Sequence, residues 1–173
     1  MKATANQILI IFGASGDLTK RKLIPALYDL FIQNLLPEKF AVLGVSRTLL
    51  SDQDFRKKAG EFLPTGDKVK SFMEMLFYQP VSNEKATDFI PLKNRLSEIS
   101  NQLQIPENFI FYLSTPPSLY SVIPRFLFEN GLSKSDQYFR RLIVEKPFGT
   151  DLKSAKELNI NLLNYFDEEQ IYR

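Results

Sequence analysis

The chain has 173 residues, 44% of them hydrophobic, and its 22 basic and 20 acidic side chains leave a net charge of +2. This predicts one ordinary globular domain over residues 1–173, and so balanced a charge gives no bulk attraction to nucleic acid or an anionic membrane. Cysteine and histidine are both absent, which excludes disulfides, thiolate metal sites, the commonest metal ligand and the usual general base at neutral pH.

Met1 to Gln7 lacks the basic-then-apolar pattern of a signal peptide, and no stretch approaches the roughly 20 apolar residues of a membrane span. A cytoplasmic protein is the expectation. Ile8-Leu9-Ile10-Ile11-Phe12 is a wholly apolar run, the pattern of a parallel strand buried on both faces. The turn after it reads Gly13-Ala14-Ser15-Gly16-Asp17-Leu18-Thr19. In an open α/β sheet this is where a dinucleotide pyrophosphate binds: Gly13 would allow the tight exit from the strand, Gly16 would let backbone approach the phosphates, and the next helix would offer unpaired N–H groups. The spacing is Gly-x-x-Gly rather than Gly-x-Gly-x-x-Gly, so a strand-to-helix turn that needs glycine only for its dihedral angles is the alternative. In the helix that follows, Leu23, Leu27, Leu30 and Phe31 share one face, and Pro25 predicts a kink near Lys22.

A second strand, Phe40 to Val45, leads to Ser46-Arg47-Thr48. An NAD site usually places an acid here, on the ribose 2′-hydroxyl. A guanidinium instead suits a 2′-phosphate, which it can grip with two bonds, so Arg47 argues for NADP unless it is an ordinary solvated arginine. Ser51 with Asp54 signals a helix from Asp52 to about Phe62. Lys68 to Met75 is a short helix candidate and Leu76-Phe77-Tyr78 a short strand. Ala86 to Leu103 is a long amphipathic helix with Phe89, Leu92, Leu96, Ile99 and Leu103 on one side. The strand Phe109 to Leu113 ends in Ser114-Thr115-Pro116-Pro117, where paired prolines fix an extended backbone at the ligand edge of the sheet, or simply a rigid loop. Ser118 to Asn130 is helical and closed by Gly131. Leu142-Ile143-Val144 is a further strand, and Glu145-Lys146-Pro147-Phe148-Gly149 follows it directly. Lys146 would project into the crevice at the strand ends with Glu145 fixing its position, unless the two form only a strand-end ion pair. Thr150-Asp151 opens a last helix, to about Tyr165. Strands alternating with helices predict a doubly wound, mostly parallel, Rossmann-like sheet with helices on both faces.

Gly13-Ala14-Ser15-Gly16-Asp17-Leu18-Thr19-Lys20-Arg21-Lys22-Leu23-Ile24-Pro25, Gly44-Val45-Ser46-Arg47 and Val144-Glu145-Lys146-Pro147-Phe148-Gly149 together resemble the amino-terminal domain of the glucose-6-phosphate dehydrogenases, in order and spacing, over the whole chain. The resemblance implies hydride transfer from C1 of glucose 6-phosphate to NADP, giving 6-phosphogluconolactone, in the oxidative pentose phosphate pathway. It implies that Gly13, Ala14, Ser15, Gly16, Asp17 and Leu18 line the cofactor phosphate turn. Arg47 and Thr48 would hold the 2′-phosphate, and Ser114, Pro116, Pro117 and Glu145 would lie on the nicotinamide side. Lys22 and Lys146 would face the substrate, with Lys146 also near the nicotinamide. Ser82 and Asn83 stand where the family often has an acid near the adenine. The family continues beyond the match to Ile171-Tyr172-Arg173 into Asp-His-Tyr-Leu-Gly-Lys, and a later histidine takes the C1 hydroxyl proton. A second, antiparallel domain carries most contacts of a homo-oligomer. The expectation is therefore a truncated domain that binds NADP, holds no metal and is inactive alone. Two other readings are a glucose–fructose oxidoreductase-type dehydrogenase domain, which also carries Glu-Lys-Pro, and a non-catalytic NADP-binding regulatory module.

Overall fold

The computed structural model describes residues 5–173, so the first four positions of the Met1–Gln7 stretch lie outside the described residues. Six strands form one parallel sheet: β1 (Gln7–Phe12), β2 (Phe40–Ser46), β3 (Leu76–Pro80), β4 (Phe109–Leu113), β5 (Arg140–Val144) and β6 (Ile171–Tyr172). Their spatial order is β3-β2-β1-β4-β5-β6. The order reverses between β1 and β4, which opens a crevice above their carboxyl ends. β1 and β2 run as near-continuous apolar segments because both faces are covered: Ile8, Ile10, Ala41 and Leu43 face one core, Ile11 and Val42 the other.

Six α-helices connect the strands: α1 (Ile24–Ile32), α2 (Asp52–Gly60), α3 (Asp67–Met73), α4 (Ile90–Leu103), α5 (Val122–Glu129) and α6 (Leu152–Leu163). The first three pack Ile24, Tyr28, Phe55 and Phe72 over β1, β2 and β3. The last three cover the opposite face with Leu92, Leu96, Ile123, Leu127 and Leu162. Two capping boxes start helices as the sequence predicts. Ser51 accepts from the Asp54 N–H at α2, and Asp151 accepts from the Ser154 N–H at α6.

The structure differs from the sequence reading at three helices. The proline-bearing segment opens with a wide π-turn over Thr19–Leu23, in which the Ile24 N–H reaches back to the Thr19 carbonyl. Pro25 follows this turn within an unbroken helical run from Asp17, and the widened ladder around Lys22, where the sequence predicts a kink, accommodates its missing donor. α1 buries Ile24 and Tyr28, while of the predicted stripe Leu23, Leu27 and Phe31 pack partly buried against the same core and Leu30 is exposed. A 3₁₀ turn, Ala86–Phe89, precedes α4 because Pro91 belongs in a first turn. A 3₁₀ turn over Pro117–Leu119 likewise stands apart from α5. The sixth strand has two residues, too few to show a pattern; Ile171 pairs with Leu142.

Because the helices after β4 and β5 lie on one face, the other face of β4 and β5 is only partly covered. Ile110, Tyr112 and Ile143 there line an apolar groove of about 340 Å³, whose far wall is Leu23, Leu27 and Leu30 of the first helical segment.

Candidate functional site

The crevice above the strand ends holds a cavity of about 480 Å³. Its walls come chiefly from three segments remote in sequence: Gly13, Ser15 and Gly16 after β1, Ser46, Arg47 and Thr48 at the end of β2, and Ser114, Thr115 and Pro116 after β4, with Asn83 added from beyond β3. Parallel strands bring their carboxyl ends to one edge, so three loops converge there.

The glycine turn is built by close approach. Gly13 has φ +84°, and a Cβ on it would stand 1.9 Å from the Ser114 carbonyl oxygen. Only glycine fits. The Gly13 and Ala14 N–H groups both donate to the Val45 carbonyl, and Gly16 N–H closes the turn onto the Gly13 carbonyl at 2.9 Å. Helical backbone begins at Asp17, so the first N–H groups of that helix lie beside the crevice. Thr19, fully buried, places its hydroxyl 3.4 Å from the Gly13 carbonyl.

The end of β2 is tied to this turn by hydroxyls. Ser46 Oγ lies 3.0 Å from Ser15 Oγ and 2.6 Å from the Tyr78 hydroxyl, and Thr48 Oγ1 donates to Ser15 Oγ at 3.2 Å. Arg47 is exposed at the rim. Gly44, one register step below, lets Ala14 and Phe55 close in; a Cβ there would meet the Phe55 ring at 2.7 Å.

The other expected site residues lie elsewhere. Ala14 is fully buried in the core of α1 and α2, so only its backbone can face a ligand. Asp17, Leu18 and Lys22 are exposed on the first helical segment, and Asp17 stands 4.0 Å from Arg21 in a surface pair. Pro117 opens the turn behind Pro116. Glu145 does not pair with Lys146. Adjacent residues of an extended segment point to opposite sides, and the Glu145 carboxylate accepts from the Tyr112 hydroxyl instead. Burial, reinforced by that bond and charge, pushes the Tyr112 phenol well above its ordinary pKa. Tyr120 is raised by burial too, with a smaller push from Glu145. Lys146 is exposed, and its peptide bond to Pro147 is cis.

Two crevice residues carry buried polar atoms without a partner among the described residues: Asn83 Oδ1 and Thr115 Oγ1. Leu119 adds an apolar wall. The roles of Tyr78 and Leu119 leave no mark on the sequence, since neither belongs to a spaced motif, and Thr19, though inside the glycine-turn motif, gives no sign there of its buried hydroxyl contact.

The family profile described as "Glucose-6-phosphate dehydrogenase, NAD binding domain" matches residues 10–173. Among curated proteins, the chain is 48% identical to glucose-6-phosphate 1-dehydrogenase of Aggregatibacter actinomycetemcomitans, covering 100% of this chain and 36% of that protein. It is 41% identical to that of Treponema pallidum, covering 98% and 34%. Among solved structures, a glucose-6-phosphate dehydrogenase in complex with its substrate glucose-6-phosphate superposes with a TM-score of 0.89 at 33% identity, covering 100% of this chain and 37% of that one. The Mycobacterium avium enzyme gives 0.77 at 28% identity, covering 96% and 35%. The chain thus spans about a third of the length of the relatives it matches. On the profile, the sequence identity and the superposed fold together, this chain belongs to the NAD-binding domain family of the glucose-6-phosphate dehydrogenases.

Proposed function

We propose that the chain is the NADP-holding part of a glucose-6-phosphate dehydrogenase. The observation that carries this is the meeting of Arg47 and Thr48 with Gly13, Ser15 and Gly16 around one crevice. The pyrophosphate would lie on the glycine turn and the first N–H groups of the helix from Asp17, and the extra 2′-phosphate beneath the Arg47 guanidinium. The crevice fits such a ligand on its own chemistry. Glycine at positions 13 and 16 leaves the turn's backbone uncovered by side chains, and the Ser15, Ser46 and Thr48 hydroxyls line the same crevice as Arg47. Bound NADP would supply the acceptor for hydride leaving C1 of the sugar phosphate. Ser114, Pro116 and Pro117 would wall the nicotinamide side, Glu145 would be held beside it by Tyr112, and Lys22 and Lys146 would meet the substrate's oxygens.

Arg47→Ala tests the reading. A hydrogen bond to a charged group is worth about 1.5–3 kcal/mol, so the variant should bind NADP roughly ten- to a hundredfold more weakly while NAD is unaffected. Calorimetric titration of the chain with each dinucleotide measures both. Equal losses for NADP and NAD would remove Arg47 from the role.

A further inference from the structure

We propose that Tyr78 is a positioning residue for cofactor selection: its buried hydroxyl sets the Ser46-Arg47-Thr48 turn in the shape that receives a 2′-phosphate before any ligand arrives. This rests on the NADP reading above.

Tyr78 belongs to β3, an edge strand, and does not itself line the crevice; it reaches the crevice wall from behind. It is nonetheless fixed on every side. Its ring packs against Phe55 at 5.2 Å between centroids and is 4% exposed. Its N–H donates to Asp52 Oδ1 at 2.7 Å, and the other oxygen of Asp52 is held by Arg95, also at 2.7 Å. The phenol is therefore delivered to one place. There its oxygen lies 2.6 Å from Ser46 Oγ, and it donates to the Thr48 carbonyl at 2.8 Å.

Ser46 and Thr48 flank Arg47, so one phenol grips the turn on both sides of the guanidinium-bearing residue. The turn is closed further by the Thr48 N–H, which donates to Ser46 Oγ at 3.2 Å, and by the Thr48 hydroxyl on Ser15. Arg47 itself is exposed, and a long side chain on a loose turn loses much of its grip to conformational entropy. Anchoring the backbone on each side reduces that cost. The benefit falls on the ligand that uses Arg47 and Thr48 together, and NAD, with a hydroxyl where NADP has a phosphate, gains little from it. Tyr78 thus acts on specificity through two intermediaries and without contact to the cofactor.

The test is Tyr78→Phe in the full chain, which keeps the ring and removes only the hydroxyl, compared with wild type and Arg47→Ala by calorimetric titration with NADP and with NAD. Circular dichroism and thermal melting establish that each variant is folded. The expected result is a fall of about three- to tenfold in the NADP-over-NAD preference, with NAD affinity unchanged. A purely structural role would lower both affinities together or shift only the melting temperature, and an unchanged preference in folded Tyr78→Phe overturns the inference. Should that variant not fold, Ser46→Ala, which removes the hydroxyl between Tyr78 and Ser15, must show the same loss of preference, and its failure to do so counts equally against the role. The two readings separate at Arg47→Ala. If that variant loses NADP selectivity and Tyr78→Phe does not, only the positioning role falls. If Arg47→Ala leaves selectivity intact, or the wild-type chain binds neither dinucleotide, the NADP reading falls and takes this one with it.

Discussion

Gly13 and Ser114 approach so closely that a Cβ on Gly13 would stand 1.9 Å from the Ser114 carbonyl oxygen and 2.8 Å from its carbonyl carbon. Two loops 101 positions apart are thereby in backbone contact at the floor of the crevice. Gly13→Ala combines a left-handed φ of +84° with an overlap that only backbone movement can relieve. Strained dihedrals and overpacking each cost about 1–3 kcal/mol, so a loss of about 2–6 kcal/mol is expected in urea unfolding. Gly66 also has a positive φ, but nothing lies within 4 Å of its added Cβ. Gly66→Ala should therefore lose clearly less. Equal losses would show that the approach to Ser114 is not what holds Gly13 as glycine.

Chemistry at the sugar carbon sets a second expectation. Oxidation at C1 requires the hydroxyl proton to leave in step, and a poised base contributes about 10²–10⁴-fold. The chain contains no histidine, and the carboxylate at the end of β5, Glu145, is occupied by the Tyr112 hydroxyl. The purified chain, given NADP and glucose 6-phosphate, should show no NADPH absorbance above the enzyme-free rate. Turnover that tracked the amount of protein would mean that another group in the chain takes the proton.

Alkaline titration reports on the strand ends. Of the seven tyrosines, Tyr78, Tyr112 and Tyr120 are all raised above the ordinary phenol value, each chiefly by burial. Their folded-state pKa values exceed the unfolded ones, so the stability they contribute is complete below about pH 10 and declines as pH rises through the folded values. Tyrosinate absorbance should show a group of phenols ionising late, and urea midpoints should fall above pH 10. Glu145→Gln removes the charge beside Tyr112, so that phenol should ionise earlier while Tyr78 is unmoved. An unchanged titration would place the Tyr112–Glu145 bond elsewhere in solution.

Acid exposes the opposite sign at the caps. Asp54 accepts from the Ser51 hydroxyl at 2.6 Å and from its N–H at 3.0 Å, and these two bonds hold its carboxyl below the usual range. Asp151 is lowered by the N–H and hydroxyl of Ser154. Stability from both caps is present above the ordinary carboxylate pKa and lost as pH falls through the folded values. Asp54→Asn should flatten the decline in melting temperature below about pH 4. A wild-type slope in that variant would assign the acid sensitivity to other carboxylates.

The sequence by itself determined the layered α/β architecture, five of the six strands and all six helices. The reason is local. A parallel strand covered on both faces must be apolar throughout, as at Ile8 to Phe12, and a helix start must satisfy its own N–H groups, as Ser51 and Asp151 do. The Gly13 turn and the place of Arg47 just beyond β2 were legible for the same reason, because one needs a backbone only glycine adopts and the other follows directly on an apolar strand. Tertiary structure alone decided that Glu145 joins Tyr112 rather than Lys146, that Ser114 sets the space at Gly13, and that Tyr78 reaches Thr48 from a neighbouring strand. Those pairings follow from strand order and register. Both are fixed when the whole sheet assembles, and a residue's own neighbours in sequence carry no information about them.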